Sequence, residues 1–222
     1  MNYAIAFCII LGTLAGNVVA LDANWNSIAG EQHNLVYAEF GLDYGTTVRL
    51  GYARLLGAPV STLLAIDVAT PMGEEALDDF EVRLGTRIRA IEFRNLALSA
   101  EVFAGSRRAS SNMVDATSLG AEVTVIAGYY RSKWHIAAEY GYDKAISTYL
   151  KHSDEMKTFG YAAIHDGWYT ATGGNFHYGI QGSKSVGSRI DITARAGMTN
   201  AEGKDENPML PFYAQLGCIV RF

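Results

Sequence analysis

The feature of this sequence that most limits its fold is an alternation of apolar and polar residues with a period of two. The clearest example reads FEVRLGTRIRA, where Phe80, Val82 and Leu84 alternate with charged or small residues. In a strand, successive side chains point to opposite faces, so this pattern predicts a strand with one apolar and one polar face. About ten segments share the pattern, and they cover residues 34–44, 46–56, 60–70, 80–90, 95–105, 118–130, 134–143, 174–183, 189–199 and 211–222.

These predicted strands are long. Each has about ten residues or more, whereas strands of globular sheets have about five or six. A tilted strand that crosses a bilayer needs about nine to eleven residues. No segment has a convincing helical period, and charged residues make up only 18% of the chain. The sequence therefore predicts an all-β fold, a single antiparallel up-and-down transmembrane β-barrel of about ten strands, with eight or twelve as alternatives.

The connections between the predicted strands alternate between short and long. Short turns are expected near residues 57–59, 93–95, 131–133 and 186–188, and longer segments at 71–79, 106–116, 145–172 and 200–210. Outer-membrane barrels have short periplasmic turns, longer external loops and an even number of strands. Both ends of the barrel chain are therefore expected on the periplasmic side.

The charged residues indicate which face meets lipid. The apolar face carries almost no charge, and the polar face carries arginine without lysine. Arginine is favoured where guanidinium groups pair with carboxylates in a confined space. We therefore expect the polar face to line the lumen, whereas a soluble lipocalin-like barrel would turn its apolar face inward. The predicted lumen charge network comprises Glu39, Asp43, Arg49, Asp67, Glu81, Arg83, Arg87, Arg89, Glu101, Glu122, Glu139, Asp143, Asp191, Arg195 and Arg221.

The size of the barrel predicts how full this lumen is. Eight strands enclose a space that side chains just fill, and ten strands enclose little more, so we expect a mostly filled lumen. The network holds nine carboxylates and six arginines, which gives a cation preference if water passes. The alternative of a narrow pore is favoured by small inward residues that leave room beside large neighbours, namely Gly41, Gly51, Gly85, Gly120, Gly141 and Gly197.

The chain divides into three parts. Residues 1–20 contain no Lys, Arg, Asp or Glu and have an apolar centre, and Val18 and Ala20 predict cleavage of a signal peptide after Ala20. Residues 21–32 are expected to form a periplasmic leader, and residues 33–222 form the predicted barrel. Cleavage removes Cys8 and leaves Cys218 alone, so no intrachain disulfide is expected.

The last predicted strand carries a further signal. It reads FYAQLGCIVRF, ends in an aromatic residue, and places Phe212, Leu216, Val220 and Phe222 on its apolar face. This pattern resembles the C-terminal signature of bacterial outer-membrane β-barrel proteins. The resemblance covers the architecture of the exported chain and indicates no subfamily. It implies a location in the outer membrane of a Gram-negative bacterium and recognition of this strand by the barrel-assembly machinery.

Few residues suggest chemistry. The longest external segment contains His152, Ser153 and Asp154, and some small outer-membrane barrels use His and Ser near the outer rim to modify lipid A. Three adjacent residues do not by themselves form a triad, since a triad takes its geometry from separated segments. They are therefore catalytic candidates only. No metal site and no cofactor is expected, and a net charge of −5 argues against nucleic acid as a partner.

The sequence thus predicts an outer-membrane barrel with a structural or surface-interaction role and a charged, mostly filled lumen. Its expected partners are outer-membrane lipid, lipopolysaccharide and, during biogenesis, the barrel-assembly machinery, and the chain is expected to be a monomer. Two alternatives stay open. One is a narrow, cation-preferring, porin-like channel, and the other is a lipid A-modifying enzyme.

Overall fold

The computed structural model describes residues 22–28, 32–43, 45–57, 60–73, 78–159, 164–170, 174–203, 208 and 210–222. Within these ranges the chain forms eleven strands and one short helix. Ten strands close into an antiparallel β-barrel, and one further short strand pairs with it at the side. The prediction of an all-β barrel of ten strands is confirmed. The signal peptide predicted at residues 1–20 lies outside the described residues.

The elements follow one another along the chain in a simple order. They are β1 (Asn34–Leu42), β2 (Thr46–Leu56), β3 (Thr62–Pro71), β4 (Asp79–Phe93), β5 (Leu96–Ser110), β6 (Val114–Arg131), β7 (Trp134–His152), α1 (Asp154–Phe159), β8 (Gly167–Thr170), β9 (Gly174–Val186), β10 (Ile190–Ala201) and β11 (Phe212–Arg221).

The barrel closes because its last strand pairs with its first. β1 and β11 are antiparallel, with Ala38 opposite Cys218. At the end of this ladder, Asn34 and Phe222 exchange two backbone hydrogen bonds of 2.9 and 3.1 Å. Closure removes the sheet edges, which is the condition for a β-sheet in lipid, where no water can satisfy an unpaired backbone group.

The two ends of the barrel differ, and we name them by their connections. The turn end carries the short connections 57–61, 94–95, 132–133 and 187–189, together with the start of β1 and the end of β11. The loop end carries the connections 43–45, 72–78, 111–113, 153–173 and 202–211. In the part of the chain that the structure describes, no helix is long and apolar enough to cross a membrane.

Two of the long loops predicted at the loop end are wrong in extent. β5 and β6 run through most of residues 106–116 and leave only 111–113 between them. β7 runs through the first part of residues 145–172, and β8 pairs with that part of it. β6 and β7 have 18 and 19 residues, whereas a tilted strand needs about 9–11 to cross a bilayer. Together with β8 they form a three-stranded extension at the loop end.

A β-bulge explains why the sequence pattern does not reveal this extension. Between two neighbouring pairs of the β6–β7 ladder, β7 contains one extra residue, Ile146. A bulge changes the face that later side chains occupy. Before Ile146 the odd-numbered side chains of β7 are buried, and beyond it the even-numbered ones are. The alternation therefore continues beyond Ile146 with the opposite parity, and one unbroken period predicts a strand that is too short.

The outward face of the barrel is apolar. Leu84, Ile180 and Leu216 are 56%, 59% and 65% exposed, and many other large apolar side chains are exposed at outward strand positions. The buried charged and polar side chains lie on the opposite face of the same strands. The core of this molecule is therefore the filling of its lumen.

Candidate functional site

The lumen is the candidate site, because it gathers the charged residues of the strands. Of the fifteen residues in the predicted network, Arg89 is half-buried and all the others are buried. Buried charges are costly unless they are paired and hydrogen-bonded. The geometry of their pairing therefore decides what the lumen can do.

Asp67 is the centre of the network on one wall. Arg83, which lies opposite Asp67 in the β3–β4 ladder, binds it with Nε at 3.0 Å from Oδ1 and Nη2 at 2.9 Å from Oδ2. Arg49 of β2 approaches Oδ1 with Nη1 at 2.5 Å. The hydroxyl of Tyr37 donates a further hydrogen bond to Oδ2 at 2.9 Å. Two guanidinium groups thus converge on one buried carboxylate, which is a strong, charge-assisted arrangement.

The same two arginines connect this centre to carboxylates of other strands. Arg49 Nη2 lies 3.2 Å from Glu81, and Arg83 Nη1 lies 2.9 Å from Glu122 of β6. The guanidinium of Arg83 also covers the ring of Phe103 at 4.6 Å. The cavity beside these side chains has a volume of about 30 Å³, which is room for one or two water molecules. This part of the lumen is therefore packed rather than open.

The opposite wall has a second group of polar contacts around Glu139 of β7. Arg195 Nε and Gln181 Nε2 each lie 2.7 Å from its carboxylate oxygens, and Tyr213 donates its hydroxyl hydrogen to it. Tyr213 comes from β11 and Arg195 from β10, so this group holds the closing strands to β7. Paired charges therefore line both walls.

The inward glycines do not open a pore. A Cβ added at Gly51 would lie 2.1 Å from the ring of Tyr37, and one at Gly85 would lie 2.4 Å from the ring of Phe103. A Cβ at Gly141 would lie 2.2 Å from the imidazole ring of His177 in β9. At these three glycines rings occupy the room that the sequence predicts, whereas a Cβ at Gly41 or Gly120 would meet the backbone of the neighbouring strand.

Residues 22–28 fill the turn end of the lumen. The sequence predicts residues 21–32 as a periplasmic leader, and the structure places 22–28 inside the barrel wall, where every side chain except the half-buried Asn26 is buried. We call residues 22–28 the lumen segment. Its side chains donate hydrogen bonds to the wall: Asn24 to the carbonyl of Arg131 (2.9 Å), Trp25 to Ser99 Oγ (3.0 Å), Asn26 to the carbonyl of Tyr130 (3.0 Å) and Ser27 to Asp191 Oδ2 (3.1 Å).

The wall that receives the lumen segment is apolar. Ala23, Trp25 and Ile28 belong to one buried cluster with inward residues of the strands near the turn end, which include Leu35, Ala53, Leu63, Ala97 and Ile219. An aqueous lumen gains nothing from apolar inward side chains. Apolar residues on the inward face at one end only are therefore the sequence signal that could have predicted a covering segment there.

The last strand also contacts the lumen segment. Arg221 Nη2 lies 3.2 Å from Asp191 Oδ1, and Arg221 donates to the carbonyl oxygen of Ser27. Ser185 donates to the same Asp191 oxygen at 2.5 Å. The lumen segment is thus bonded to β10 and β11 as well as to β5 and β6, and Ser185 of β9 supports it only through Asp191.

The predicted assembly signal lies on the other face of that strand. Its four residues all point outward in β11 or at its end and are exposed, namely Phe212, Leu216, Val220 and Phe222. Their apolar side chains therefore belong to the surface of the barrel and not to the filling of its lumen.

One lumen pair does not follow from the predicted strands. Arg107 of β5 binds Asp79 of β4 with Nε at 3.0 Å and Nη2 at 2.6 Å from the two carboxylate oxygens. Arg107 lies in the stretch 106–116 that the sequence predicts as a loop. The sequence signal for this inward arginine was its odd-numbered position. Arg107 continues the inward positions of Phe103 and Gly105, and the β5–β6 ladder is unbroken there.

The three catalytic candidates do not come together as a triad. Ser153 Oγ accepts the backbone N–H of Met156 at 3.2 Å, which is the contact of a helix N-cap, and Asp154 begins α1. His152 is buried, and its Nδ1 lies 3.2 Å from Asp166 instead. The geometry gives each of these residues a structural position in the loop-end extension.

Asp166 anchors the connection between β7 and β8. Its Oδ1 accepts the backbone N–H of His152 at 2.8 Å, and its Oδ2 lies 2.7 Å from Lys157 Nζ. These two contacts, with the His152 backbone first, lower the pKa of Asp166 from 3.8 to about 2. The hydrogen bond to Asp166 raises the pKa of Lys157. Both groups lie outside the barrel strands.

The geometry thus defines a closed, ten-stranded barrel with an apolar exterior and a filled, charged lumen. No protein-family model and no curated protein matches the chain. Among solved structures, it is similar to the KdgM porin, with a TM-score of 0.40 and 8% identity over 85% of this chain and 99% of the porin. It is similar to the beta domain of the Bordetella autotransporter Brka, with a TM-score of 0.40 and 11% identity over 87% of this chain and 100% of that domain. Likenesses this remote carry no argument about function.

Proposed function

We propose that the protein is an outer-membrane β-barrel with a structural or surface-interaction role and a closed lumen. The apolar outward face of a fully closed barrel supports the membrane location, because a soluble protein rarely exposes so continuous an apolar surface. The proposal includes export with cleavage after Ala20 and assembly through the outward residues of β11. It also includes a monomeric barrel in contact with outer-membrane lipid and lipopolysaccharide.

The observation that carries the proposal is the filling of the lumen. Charged pairs around Asp67 and Glu139 fill its middle and loop-end part, and the lumen segment fills its turn end. Packed and paired side chains leave little room for a solute. This arrangement favours a structural or surface role over that of an open pore.

The loop-end extension is the part of the protein suited to a surface interaction. Its outward face exposes Ile146 and Trp168, which are 58% and 60% exposed, beside Tyr149. The rings of Tyr149 and Trp168 meet edge to face, with centroids 5.5 Å apart. Aromatic side chains are common at the boundary between lipid and water and at interfaces. We propose that this face contacts the outer leaflet or a molecule bound there.

Two measurements on the same preparation test the proposal. Cell fractionation should place the folded protein in the outer membrane, with gel mobility that changes on heating because the closed barrel resists detergent when cold. The folded protein should then show no conductance steps in planar bilayers. A protein that stays in the soluble periplasmic fraction contradicts the location, and steady open-channel steps of the full chain contradict the closed lumen.

A further inference from the structure

One stretch of the turn end carries exposed basic side chains without acidic partners. Arg94 and Lys133 lie in two short connections, Arg131 ends β6, and Lys184 lies opposite the first residue of β7 on the outward face. All four are exposed. Within the described residues none of them takes part in an ion pair, and the nearby Glu92 is paired with Arg89 at 3.1 Å. Such a surface attracts an anionic partner.

Two of these basic groups lie over aromatic rings of the outward face. The guanidinium of Arg131 is 5.2 Å from the ring of Tyr129, and that of Arg94 is 5.4 Å from the ring of Phe93. The ring of Trp134 lies 5.7 Å from that of Tyr129. Aromatic rings hold guanidinium groups over their faces, and aromatic and basic side chains are typical of the boundary between lipid tails and headgroups.

The two arginines belong to adjacent hairpins. The backbone N–H of Tyr130 donates to the carbonyl of Asn95 at 2.7 Å. Arg131 and Arg94 directly follow and precede these two residues in the sequence. A planar guanidinium group binds phosphate oxygens through two parallel hydrogen bonds, so two neighbouring arginines can hold one phosphate group between them.

A groove on the outward face begins at the same aromatic rings. Its volume is about 590 Å³, which is within the range of about 300–1,000 Å³ for small-molecule sites. Small residues lie between larger, mainly apolar ones in its lining, which includes Ala127, Gly128 and Ala138 beside Phe93, Leu96, Leu98, Tyr129, Ile136 and Ile180. A groove with this lining fits an acyl chain rather than a polar ligand.

We propose that this surface is a binding site for one anionic glycerophospholipid, with its phosphate group between Arg94 and Arg131 and an acyl chain in the groove. The inference rests on the membrane location proposed above and names a specific lipid partner. The turn end carries the start of β1 and the end of β11, and is expected on the periplasmic side, where the leaflet is made of phospholipid. A second copy of the chain fits less well, since a symmetric contact would bring like charges together.

Trp134 serves as the reporter for this site. A chain with Trp168→Phe is refolded into mixed vesicles of phosphatidylcholine and phosphatidylglycerol, in which one of the two lipids is brominated along its acyl chains. Trp25 lies in the lumen and gives the same unquenched emission throughout. The apparent binding constant from quenching of Trp134 should be about fivefold higher for phosphatidylglycerol than for phosphatidylcholine. Only preparations with heat-modifiable mobility are measured.

Variants separate the site from general surface charge. Arg94→Gln combined with Arg131→Gln should bring the ratio of the two constants to about one. The matched control combines Arg54→Gln with Arg189→Gln, which removes the same charge from exposed positions at the same end but outside the groove, and should keep the ratio. Ala138→Leu fills the groove without changing a charge and should lower the ratio.

Each contrary result has its own meaning. Equal constants for both lipids in the chain with unaltered arginines would overturn the lipid site and leave the barrel in the membrane. An equal loss in the matched control, or no effect of Ala138→Leu, would also overturn it. Native mass spectrometry should find one retained phosphatidylglycerol per chain, and a dimer without lipid would assign the groove to a second copy instead. No quenching of Trp134 by either lipid would contradict the proposed function itself.

Discussion

The two halves of the lumen are filled in different ways. In the loop-end half, the strands pair their own charged side chains, as Asp67 does with Arg49 and Arg83. In the turn-end half, the strands present mainly apolar side chains, together with the Arg221–Asp191 pair, and the separate residues 22–28 cover them. The side chains that fill the loop-end half belong to the strands themselves. Residues 22–28, by contrast, are joined covalently to β1 only through residues 29–33.

A filled barrel therefore need not be uniformly stable. A charge that loses its partner in the loop-end half stays buried, because its strand cannot move away. An anchor that is lost in the turn-end half can be relieved when the whole segment leaves. We therefore expect changes in the loop-end half to cost more stability than changes in the turn-end half.

The largest effect is expected from Asp67→Ala. The substitution leaves Arg49 and Arg83 buried without their shared carboxylate, and breaking a buried pair in this way costs about 3–5 kcal/mol. Urea unfolding of the refolded barrel in detergent micelles measures the free energy of unfolding. Glu92→Ala is the control, since it removes a partly exposed pair with Arg89 at 3.1 Å, which is worth less than about 1 kcal/mol. Equal losses of unfolding free energy for Asp67→Ala and Glu92→Ala would contradict the expectation that the buried charge pairs stabilise the barrel more than the partly exposed pair does.

A smaller loss of stability is expected from Trp25→Ala. Truncation of a tryptophan in a rigid core costs about 3–5 kcal/mol. Here the loss is limited to the energy that docks residues 22–28, and we expect about 2–3 kcal/mol, the value of burying one large apolar side chain. The same unfolding experiment measures it. A loss as large as that of Asp67→Ala would show that the segment is as integral to the barrel as the strands are.

Tyr37 lies at the boundary between the two halves, so its substitution tests whether they are coupled. Its ring belongs to the turn-end cluster, and its hydroxyl donates to Asp67 at 2.9 Å. Tyr37→Phe keeps the ring and removes a hydrogen bond to a charged group, which costs about 1.5 kcal/mol because Asp67 retains both arginines. Combination with Asp67→Ala should cost less than the sum of the two changes. Strict additivity in this double-mutant cycle would mean that the two halves are independent.

The barrel can be predicted from the sequence because strand periodicity is a local property. Each strand carries its own alternation, so the number of strands requires no knowledge of their neighbours. The partners of the charges cannot be predicted in this way, because they depend on register. Parity puts Asp67 and Arg83 on the same face, but only the β3–β4 ladder places them opposite each other.

The continuation of β7 and the position of residues 22–28 cannot be predicted from the alternation, for two physical reasons. The bulge at Ile146 reverses the phase of β7, so the pattern predicts a loop where the strand continues. Residues 22–28 have no period, since they belong to no sheet, and their position follows from what they cover. Leu35, Leu63 and Ile219 point inward at the turn end, and apolar residues facing a lumen are the evidence that something fills it.

Charge pairing also holds the outer part of the loop end, and pH can break it there. The contacts of Asp166 lower its pKa from 3.8 to about 2. A carboxylate with a lowered pKa stabilises the fold fully above its ordinary pKa and loses this effect as pH falls through the lowered value. Hydrogen exchange of the His152 amide, which donates to Asp166, should stay slow at pH 4 and become fast as pH falls toward 2.

Asp166→Asn is the control for this pH dependence. The amide keeps an oxygen that accepts from His152 but carries no charge that protonation could remove. Exchange of the His152 amide should then show no step between pH 4 and pH 2 beyond the intrinsic change. A step that is already complete at pH 4 in the unaltered chain would show that Asp166 is not held by these contacts.

The smallest effect is expected on the outward face of the barrel. Cys218 shares the outward phase of β11, lies opposite Ala38 and Ile192, and is the one free cysteine in the described part of the chain. Cys218→Ala should change the free energy of unfolding by no more than about 0.5 kcal/mol, as for most surface positions. In lipid vesicles a membrane-impermeant maleimide should leave Cys218 unlabelled and should label a Glu92→Cys control built on Cys218→Ala. Ready labelling of Cys218 in the folded barrel would mean that this strand turns the opposite face to lipid.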